Sequence, residues 1–310
     1  MAAKAHGHMN VQEPILTDDD KAVWDAWMRA AGEHARTRSF ARKVERARVA
    51  IIEACEWVEK HPVPNREGPI GASASSGKDS TVMLDIIANR AGCKHVVAVT
   101  QQDDLDYPGV PEFTAARAAR LGIKQHLIVP SVSAKEWIAE AAKRGELACY
   151  DDVHTRAAGL SKNLFYPLME ADNKKRPLAF LGLRREESRN RDRVASWAAR
   201  DAWERRETQE EGPNSGLTRW HKGTAHWRCY PLMDFTGIDV YAYAARYDVP
   251  LLHVYRCVGL MHREDPSRVR VAWWLPAGHT ADGQAAWLRR YYPSLHRQLV
   301  AWMPETTLFS

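Results

Sequence analysis

The chain of 310 residues has few cysteines and lacks long apolar runs, internal repeats and low-complexity tracts. No apolar segment approaches the roughly 18 residues that a membrane-spanning helix needs, and the N-terminus shows no signal peptide. The sequence therefore predicts a cytoplasmic protein without a membrane partner.

The five cysteines do not form the pairs that metal centres use. They lie at positions 55, 93, 149, 229 and 257, without a Cys-x-x-Cys motif. This spacing argues against a disulfide framework, a zinc site and an iron–sulfur cluster.

Charge is nearly balanced, with 44 Lys and Arg residues against 39 Asp and Glu residues and a formal net charge of +5. The small positive excess suits an anionic partner such as a nucleotide or a nucleic acid, although most charges are typical of a solvated surface. Hydrophobic residues make up 45% of the chain, which is enough for a sizeable core.

The apolar pattern predicts two helices and then an alternation of strands and helices. Thr17 is the expected N-cap of the first helix, and the second covers roughly residues 40–59. Strands are predicted over 70–74, 95–100, 125–129 and 178–183, and helices over 80–89, 111–121, 134–143 and 153–169. This alternation is typical of an α/β fold, a parallel sheet flanked by helices.

We expect three regions along the chain. Residues 1–62 form an N-terminal helical extension whose first nine residues or so are a leader, 63–256 form the α/β domain, and 257–310 form a C-terminal helical cap. Within the α/β domain, residues 190–227 are predicted to be a charged insertion that lies beside the ligand-binding site.

A loop rich in small residues follows the first predicted strand. It contains Ser75, Ser76, Gly77, Lys78, Asp79 and Ser80. Small side chains let backbone N–H groups approach an anion, and the N-terminus of the next helix adds a positive dipole end. The P-loop motif does not fit, because Asp79 occupies the position of its Ser or Thr and the spacing from Gly71 to Gly77 is one residue too long.

This loop resembles the Ser-Gly-Gly-Lys-Asp-Ser loop of the PP-loop ATP pyrophosphatases. Within them it is most similar to the sulfate adenylyltransferase small subunits and the phosphoadenylylsulfate (PAPS) reductases. Two further segments match that family in the expected order. One is residues 180–189, with Gly182, Arg184 and Arg185, and the other is residues 230–241, followed by Pro250 and Tyr255. The family has a Rossmann-type, adenine nucleotide α-hydrolase-like fold.

The resemblance implies that the loop binds the β- and γ-phosphates of ATP, so that an acceptor oxygen attacks the α-phosphorus and pyrophosphate leaves. The implied binding residues are Ser75, Ser76, Gly77, Lys78, Asp79, Ser80 and Gly182. The implied catalytic residues are Lys78, Arg184 and Arg185, the two arginines holding an anionic acceptor. Mg²⁺ is the expected metal, with Asp79 and Asp103 as candidate ligands, although an exposed acidic loop also accounts for Asp103.

The chain departs from the sulfonucleotide reductases in its tail. Those enzymes carry a nucleophilic cysteine in a Glu-Cys-Gly-x-His segment, whereas this chain ends with Glu305 to Ser310 and has no cysteine there. Two alternatives to an ATP-cleaving enzyme stay open. One is a reductase that uses another cysteine, with Cys257 as the candidate. The other is a nucleotide-sensing partner of other proteins in a DNA-associated phage or mobile-element system.

Residues 190–227 interleave tryptophans with arginines. The tryptophans are Trp197, Trp203, Trp220 and Trp227. One interpretation is stacking on nucleic-acid bases, with arginines neutralising phosphates. The favoured interpretation is a lid helix whose tryptophans anchor it to the core.

Overall fold

A computed structural model describes residues 14–101, 106–144, 165–259, 265–269, 283–302 and 304–309. The predicted leader, Asp103, Cys149 and most of the helix predicted over 153–169 lie outside these residues.

Two helices open the described chain, as the sequence predicts. Helix α1 (Asp18–His34) begins at a capping box, in which Thr17 and Asp20 satisfy each other's backbone N–H groups. Helix α2 (Arg38–Lys60) is capped by Thr37 and buries one apolar stripe. That stripe packs in the main core with the residues of the central sheet.

A six-stranded sheet forms the centre of the fold. Its strands are β1 (Gly71–Ser73), β2 (Val97–Gln101), β3 (Gln125–Ile128), β4 (Leu178–Phe180), β5 (Thr218–His221) and β6 (His226–Cys229). Their order across the sheet is β3-β2-β1-β4-β6-β5. All neighbours are parallel except β5, which pairs antiparallel with β6 at one edge. The predicted class, a parallel α/β sheet flanked by helices, is confirmed.

Helices connect the strands and flank the sheet. They are α3 (Lys78–Asp85), α4 (Val110–Leu121), α5 (Ala134–Lys143), α6 (Tyr166–Asn173), α7 (Arg189–Thr208) and α8 (Gly237–Tyr247). Helix α3 continues into a π-helical turn over Ile86–Arg90.

The chain changes direction across the sheet between β1 and β4. From β1 it proceeds through β2 to β3 on one side, and it then returns so that β4 pairs with the other side of β1. In open α/β sheets, ligands bind at such a switch point, outside the carboxyl ends of the strands. The loops after β1 and β4 therefore meet where a ligand site is expected.

Strands β5 and β6 are not predicted by the sequence pattern. Strand β5 and the first half of β6 lie within residues 190–227, which also form all of α7 except its first residue, so part of this segment extends the sheet. The segment is rich in charged residues, and the two strands have no regular alternation of buried and exposed side chains. The period-2 signal of a half-buried strand is therefore missing.

The C-terminal part packs through aromatic side chains. Helices α9 (Gln284–Tyr291) and α10 (Pro293–Trp302) are followed by a 3₁₀ helix over Pro304–Phe309. A second apolar cluster joins Trp287 to Tyr107 and Tyr255. The Tyr291 hydroxyl donates to Asp20 Oδ1 at 2.6 Å, which ties this cap to α1. Within the described ranges, no helix has the length and apolar character needed to cross a membrane.

Candidate functional site

The loop between β1 and α3 has the backbone that an anion-binding turn needs. Ser76 has a φ of 57°, the left-handed region that favours glycine. Gly77 is extended and directly precedes the helix, which begins at Lys78. The first backbone N–H groups of α3 have no carbonyl acceptor within the helix, and they point toward its N-terminal end.

Asp79 lies between two cationic side chains. Its Oδ2 accepts from Lys78 Nζ at 2.9 Å, and its Oδ1 accepts from Arg184 Nε at 2.6 Å. Burial raises the pKa of Asp79, but the charges and hydrogen bonds of Lys78 and Arg184 outweigh it. The pKa therefore lies below its ordinary value of 3.8, and the carboxyl group is ionised at neutral pH.

Arg184 is buried although it carries a full charge. Besides Asp79, it contacts Glu186 through Nη1 and lies 3.6 Å from Glu187 through Nη2. Three carboxylates thus offset the cost of burying one guanidinium. This arrangement fixes the planar fork of Arg184 at the end of β4, beside the loop that follows β1.

Gly182 allows the two loops to approach closely. A Cβ atom on Gly182 would lie 3.3 Å from the backbone carbon of Asp79 and 3.3 Å from the nitrogen of Ser80. A side chain here would force the first turn of α3 to shift, so the glycine serves close packing.

Tyr255 reaches the same loop from the last of the three sequence motifs. Its hydroxyl accepts from the backbone N–H of Lys78 at 2.7 Å, and Lys78 Nζ lies 5.6 Å from the centre of its ring. The sequence pattern places Tyr255 in a motif but does not assign it to the site. Its position in that motif was the available signal, because motifs far apart in sequence meet at the ends of parallel strands.

The serine hydroxyls of the loop bond mainly to one another and to neighbouring groups. Ser80 Oγ donates to the carbonyl of Gly77 at 2.9 Å and lies 3.3 Å from Ser75 Oγ. Ser76 Oγ contacts the hydroxyl of Thr114 on α4. All the predicted binding residues from Ser75 to Ser80 are thus brought together with Gly182.

Arg185 has a different environment from its neighbour. Its Nη2 lies 2.8 Å from Oδ1 of Asp234, and its side chain is 47% exposed. Arg46 binds the other oxygen of Asp234. The structure therefore brings Arg184 to the loop, while Arg185 forms a separate, solvent-facing ion pair.

The last motif also stabilises the fold. Thr236 and Asp239 form the capping box of α8, and the buried Asp239 also binds Lys43 Nζ at 2.6 Å and His34 Nε2 at 2.7 Å. Burial raises the pKa of Asp239, but these hydrogen bonds outweigh it and lower the pKa overall. The carboxylate of Asp239 therefore caps α8 and also ties it to α1 and α2.

Of the candidate metal ligands and cysteines, Asp79 and four cysteines lie in the described residues, whereas Asp103 and Cys149 lie outside them. Asp79 does not fit a Mg²⁺ ligand here, because both of its oxygens already face cations. Among the residues that the structure describes, no group of three or more His, Cys, Asp or Glu side chains could hold a metal ion. Cys55, Cys93, Cys229 and Cys257 are all buried.

A parallel α/β sheet whose switch-point loop carries buried cations at a helix N-terminus is typical of proteins that bind phosphate groups or nucleotides. The chain belongs to the phosphoadenosine phosphosulfate reductase domain family, because residues 69–259 match the family model of that description. All three sequence motifs lie within the matched residues. No curated protein matches the chain.

Solved structures with a similar chain trace share little sequence. The NH3-dependent NAD synthetase from Campylobacter jejuni is 13% identical, with 68% of this chain and 74% of that chain covered and a TM-score of 0.39. The FMN adenylyltransferase from Candida glabrata is 12% identical, with 76% and 70% covered and a TM-score of 0.41. The U34-tRNA thiolase from Methanococcus maripaludis is 12% identical, with 88% and 80% covered and a TM-score of 0.41.

Proposed function

We propose that the protein binds ATP at the loop over 75–80 and cleaves it at the α-phosphate, either by adenylyl transfer to an anionic acceptor or by hydrolysis to AMP and pyrophosphate. The observation that carries this proposal is the convergence of Lys78 and Arg184 on Asp79 at the N-terminus of α3. Two cations and a helix dipole at a switch point suit a polyphosphate.

The proposed roles follow from the charges. In the reaction, an acceptor oxygen bonds to the α-phosphorus while the bond to the bridging oxygen breaks, and pyrophosphate leaves with that electron pair. Negative charge grows on the leaving group, so Lys78 and the N–H groups at the start of α3 act there as fixed electrostatic stabilisers. Asp79 holds Lys78 and Arg184 in place, and no step is assigned to a metal ion on Asp79.

Arg185 is assigned to the acceptor in this proposal. Its guanidinium is about half exposed and is held by Asp234, so an incoming anion can bind it without a large desolvation cost. Arg184 is fully enclosed by carboxylates, which suits a positioning role better than direct capture of an acceptor.

The reductase alternative has weak support from Cys257, its candidate cysteine. Cys257 is fully buried, and burial raises the pKa of its thiol well above the ordinary value. Burial also raises the pKa of Cys229 to about 12. Since the thiolate is the attacking species, both thiols are poor nucleophiles.

The test combines binding and turnover. ATP, adenylyl sulfate and phosphoadenylyl sulfate are titrated by calorimetry with and without Mg²⁺, and pyrophosphate release is followed from ATP. We expect ATP binding, and we expect Lys78→Met to lower turnover by about a hundredfold or more. Lys21→Met is the matched control, because that lysine is exposed and pairs with the exposed Asp18 on α1.

Three outcomes would contradict the proposal. Full turnover in Lys78→Met would remove the assigned role of the lysine. ATP binding without turnover, with every acceptor tried, would favour the nucleotide-sensing alternative. A clear preference for phosphoadenylyl sulfate would favour the reductase, and Cys257→Ser would then be the next variant.

A further inference from the structure

We propose that the outer face of helix α7 binds single-stranded nucleic acid. Five exposed residues lie on this face, and we call them the Arg/Trp stripe: Arg189, Arg193, Trp197, Arg200 and Trp203. Their spacings of four, four, three and three residues place them along one side of an α-helix. This inference does not depend on the proposed ATP chemistry.

The opposite face of α7 explains why the stripe faces solvent. Ala195, Ala198 and Ala202 are buried on that side. Small side chains let the helix lie close to the rest of the domain, so its large side chains stay outside. Trp197 is 41% exposed and Trp203 is 58% exposed, which is contrary to the expectation that these tryptophans anchor a lid to the core.

Carboxylates of the described residues pair with few of the arginines in the stripe, so they leave most of the positive charge of the stripe uncompensated. Among the residues that the structure describes, Arg189 and Arg193 have no carboxylate partner, and Arg193 bonds only to the side-chain oxygen of Asn190. Arg200 lies 3.4 Å from Glu204, but both side chains are more than half exposed. Phosphates can therefore bind these guanidinium groups at little cost.

The two tryptophans offer stacking surfaces within this row of charge. Arg219, from β5, lies 5.2 Å from the centre of the Trp197 ring and is itself paired with Asp201 at 3.4 Å, so it helps to hold the ring in place. Trp197 and Trp203 are about 9 Å apart along the helix axis, and the whole stripe is about 21 Å long. At a stacked spacing of about 3.4 Å per nucleotide, this length matches roughly six nucleotides of one strand.

This alternation favours a nucleic acid over a protein partner. Three guanidinium and two indole groups lie along one side of the helix, with Trp197 and Trp203 on either side of Arg200, and a single strand offers phosphates and bases at comparable spacing. A duplex hides its base faces, so it cannot use the tryptophans. The stripe also starts close to the candidate site, because Arg189 follows Ser188, the N-cap of α7, and Glu187 lies 3.6 Å from Arg184.

The experiment measures fluorescence anisotropy of a labelled oligonucleotide of about 12 nucleotides, as oligo-dT and as oligo-rU, with the full chain. We expect binding at about 50 mM salt that weakens as salt rises. The double variant Arg193→Ala/Trp197→Ala should bind at least tenfold more weakly. The control is Arg36→Ala/Tyr166→Ala, which removes an exposed arginine and an exposed tyrosine away from α7.

Fold integrity is checked by circular dichroism of each variant, and Trp203→Phe, which keeps an aromatic ring, should retain most of the affinity. Absence of oligonucleotide binding, equal loss in the control, or tighter binding of duplex than of single strand would overturn the proposal. Binding only of an added protein, insensitive to oligonucleotide competition, would overturn it as well. Lys78→Met should keep the oligonucleotide affinity, so failure of the ATP proposal remains distinguishable.

Discussion

Arg184 donates from Nε to Oδ1 of Asp79 at 2.6 Å across a separation of 105 residues in sequence. Arg184 lies in the segment after β4, and Asp79 lies in the first turn of α3, which follows β1; the two strands are neighbours in the sheet. This contact, together with the close approach of Gly182, joins the two loops on which the candidate site is built.

Removing the charge of Asp79 should destabilise the protein. In Asp79→Asn, the nearby Lys78 and Arg184 lose their shared carboxylate, and we expect the free energy of unfolding to fall by roughly 3 kcal/mol. Urea denaturation at neutral pH measures this change. Asp18→Asn is the control, because Asp18 is 99% exposed, and its unfolding midpoint should stay at the wild-type value. If Asp79→Asn and Asp18→Asn had the same urea unfolding midpoint, the stabilising role of Asp79 would be contradicted.

The same carboxylate should contribute to acid sensitivity. Because the folded-state pKa of Asp79 is lowered, its stabilising effect is fully present above the ordinary pKa of 3.8 and is lost as pH falls through the lower folded value. The difference in stability between wild type and Asp79→Asn should therefore narrow below pH 3.8. A constant difference across that range would argue against an ionised Asp79.

The hydroxyl of Tyr255 should matter for the loop. Tyr255→Phe leaves the backbone N–H of Lys78 without its acceptor, and an unsatisfied buried donor costs about 1 to 3 kcal/mol. Urea denaturation of this variant should show that loss. Tyr166→Phe, at an exposed tyrosine, provides the control and should unfold like the wild type. If Tyr255→Phe has the same free energy of unfolding as the wild type, the hydrogen bond to the N–H of Lys78 does not contribute to stability.

Gly182→Ala should weaken ATP binding. The added methyl group would lie 3.3 Å from backbone atoms of Asp79 and Ser80, so the first turn of α3 must shift by a few tenths of an ångström. Calorimetric titration with ATP measures the effect. In α1, a methyl group on Gly32 would have no atom within 4 Å, and Gly32→Ala should instead raise stability by up to about 1 kcal/mol. Unchanged ATP affinity in Gly182→Ala would contradict the packing argument.

His226 should make stability depend on mildly acidic pH. Burial, with the nearby charge of Arg228 as the second cause, lowers the pKa of His226 to about 4 from an ordinary 6.5. Between these values the unfolded chain binds a proton that the folded chain does not, so stability falls by up to roughly 3 kcal/mol as pH decreases. We measure the free energy of unfolding by urea denaturation between pH 7 and about 4. It should decrease less in His226→Gln than in the wild type. His95→Gln, at a half-exposed histidine, should keep the wild-type decrease.

Local sequence patterns were sufficient to predict much of the secondary structure and one loop of the candidate site. Short-range patterns predicted the cap of α1 at Thr17, the four strands β1 to β4 and the loop over 75–80. The order of the three motifs also indicated the family to which residues 69–259 belong.

Other features depend on contacts that no local pattern encodes. Strand β6 and the edge strand β5 lack an alternating pattern, and they are held by the pairing of β6 with β4 and of β5 with β6. Arg184 and Arg185 are chemically identical neighbours, yet one is buried against Asp79 and the other pairs with Asp234 at the surface.

By itself, the sequence determined the α/β class and the small-residue loop over 75–80, because propensity, capping and residue chemistry act over a few positions. The tertiary structure decided that Tyr255 belongs to the site, that Asp79 holds two cations and that Trp197 and Trp203 face solvent. Those outcomes depend on which strands become neighbours and which helix face is buried, and both are settled by packing across the whole chain.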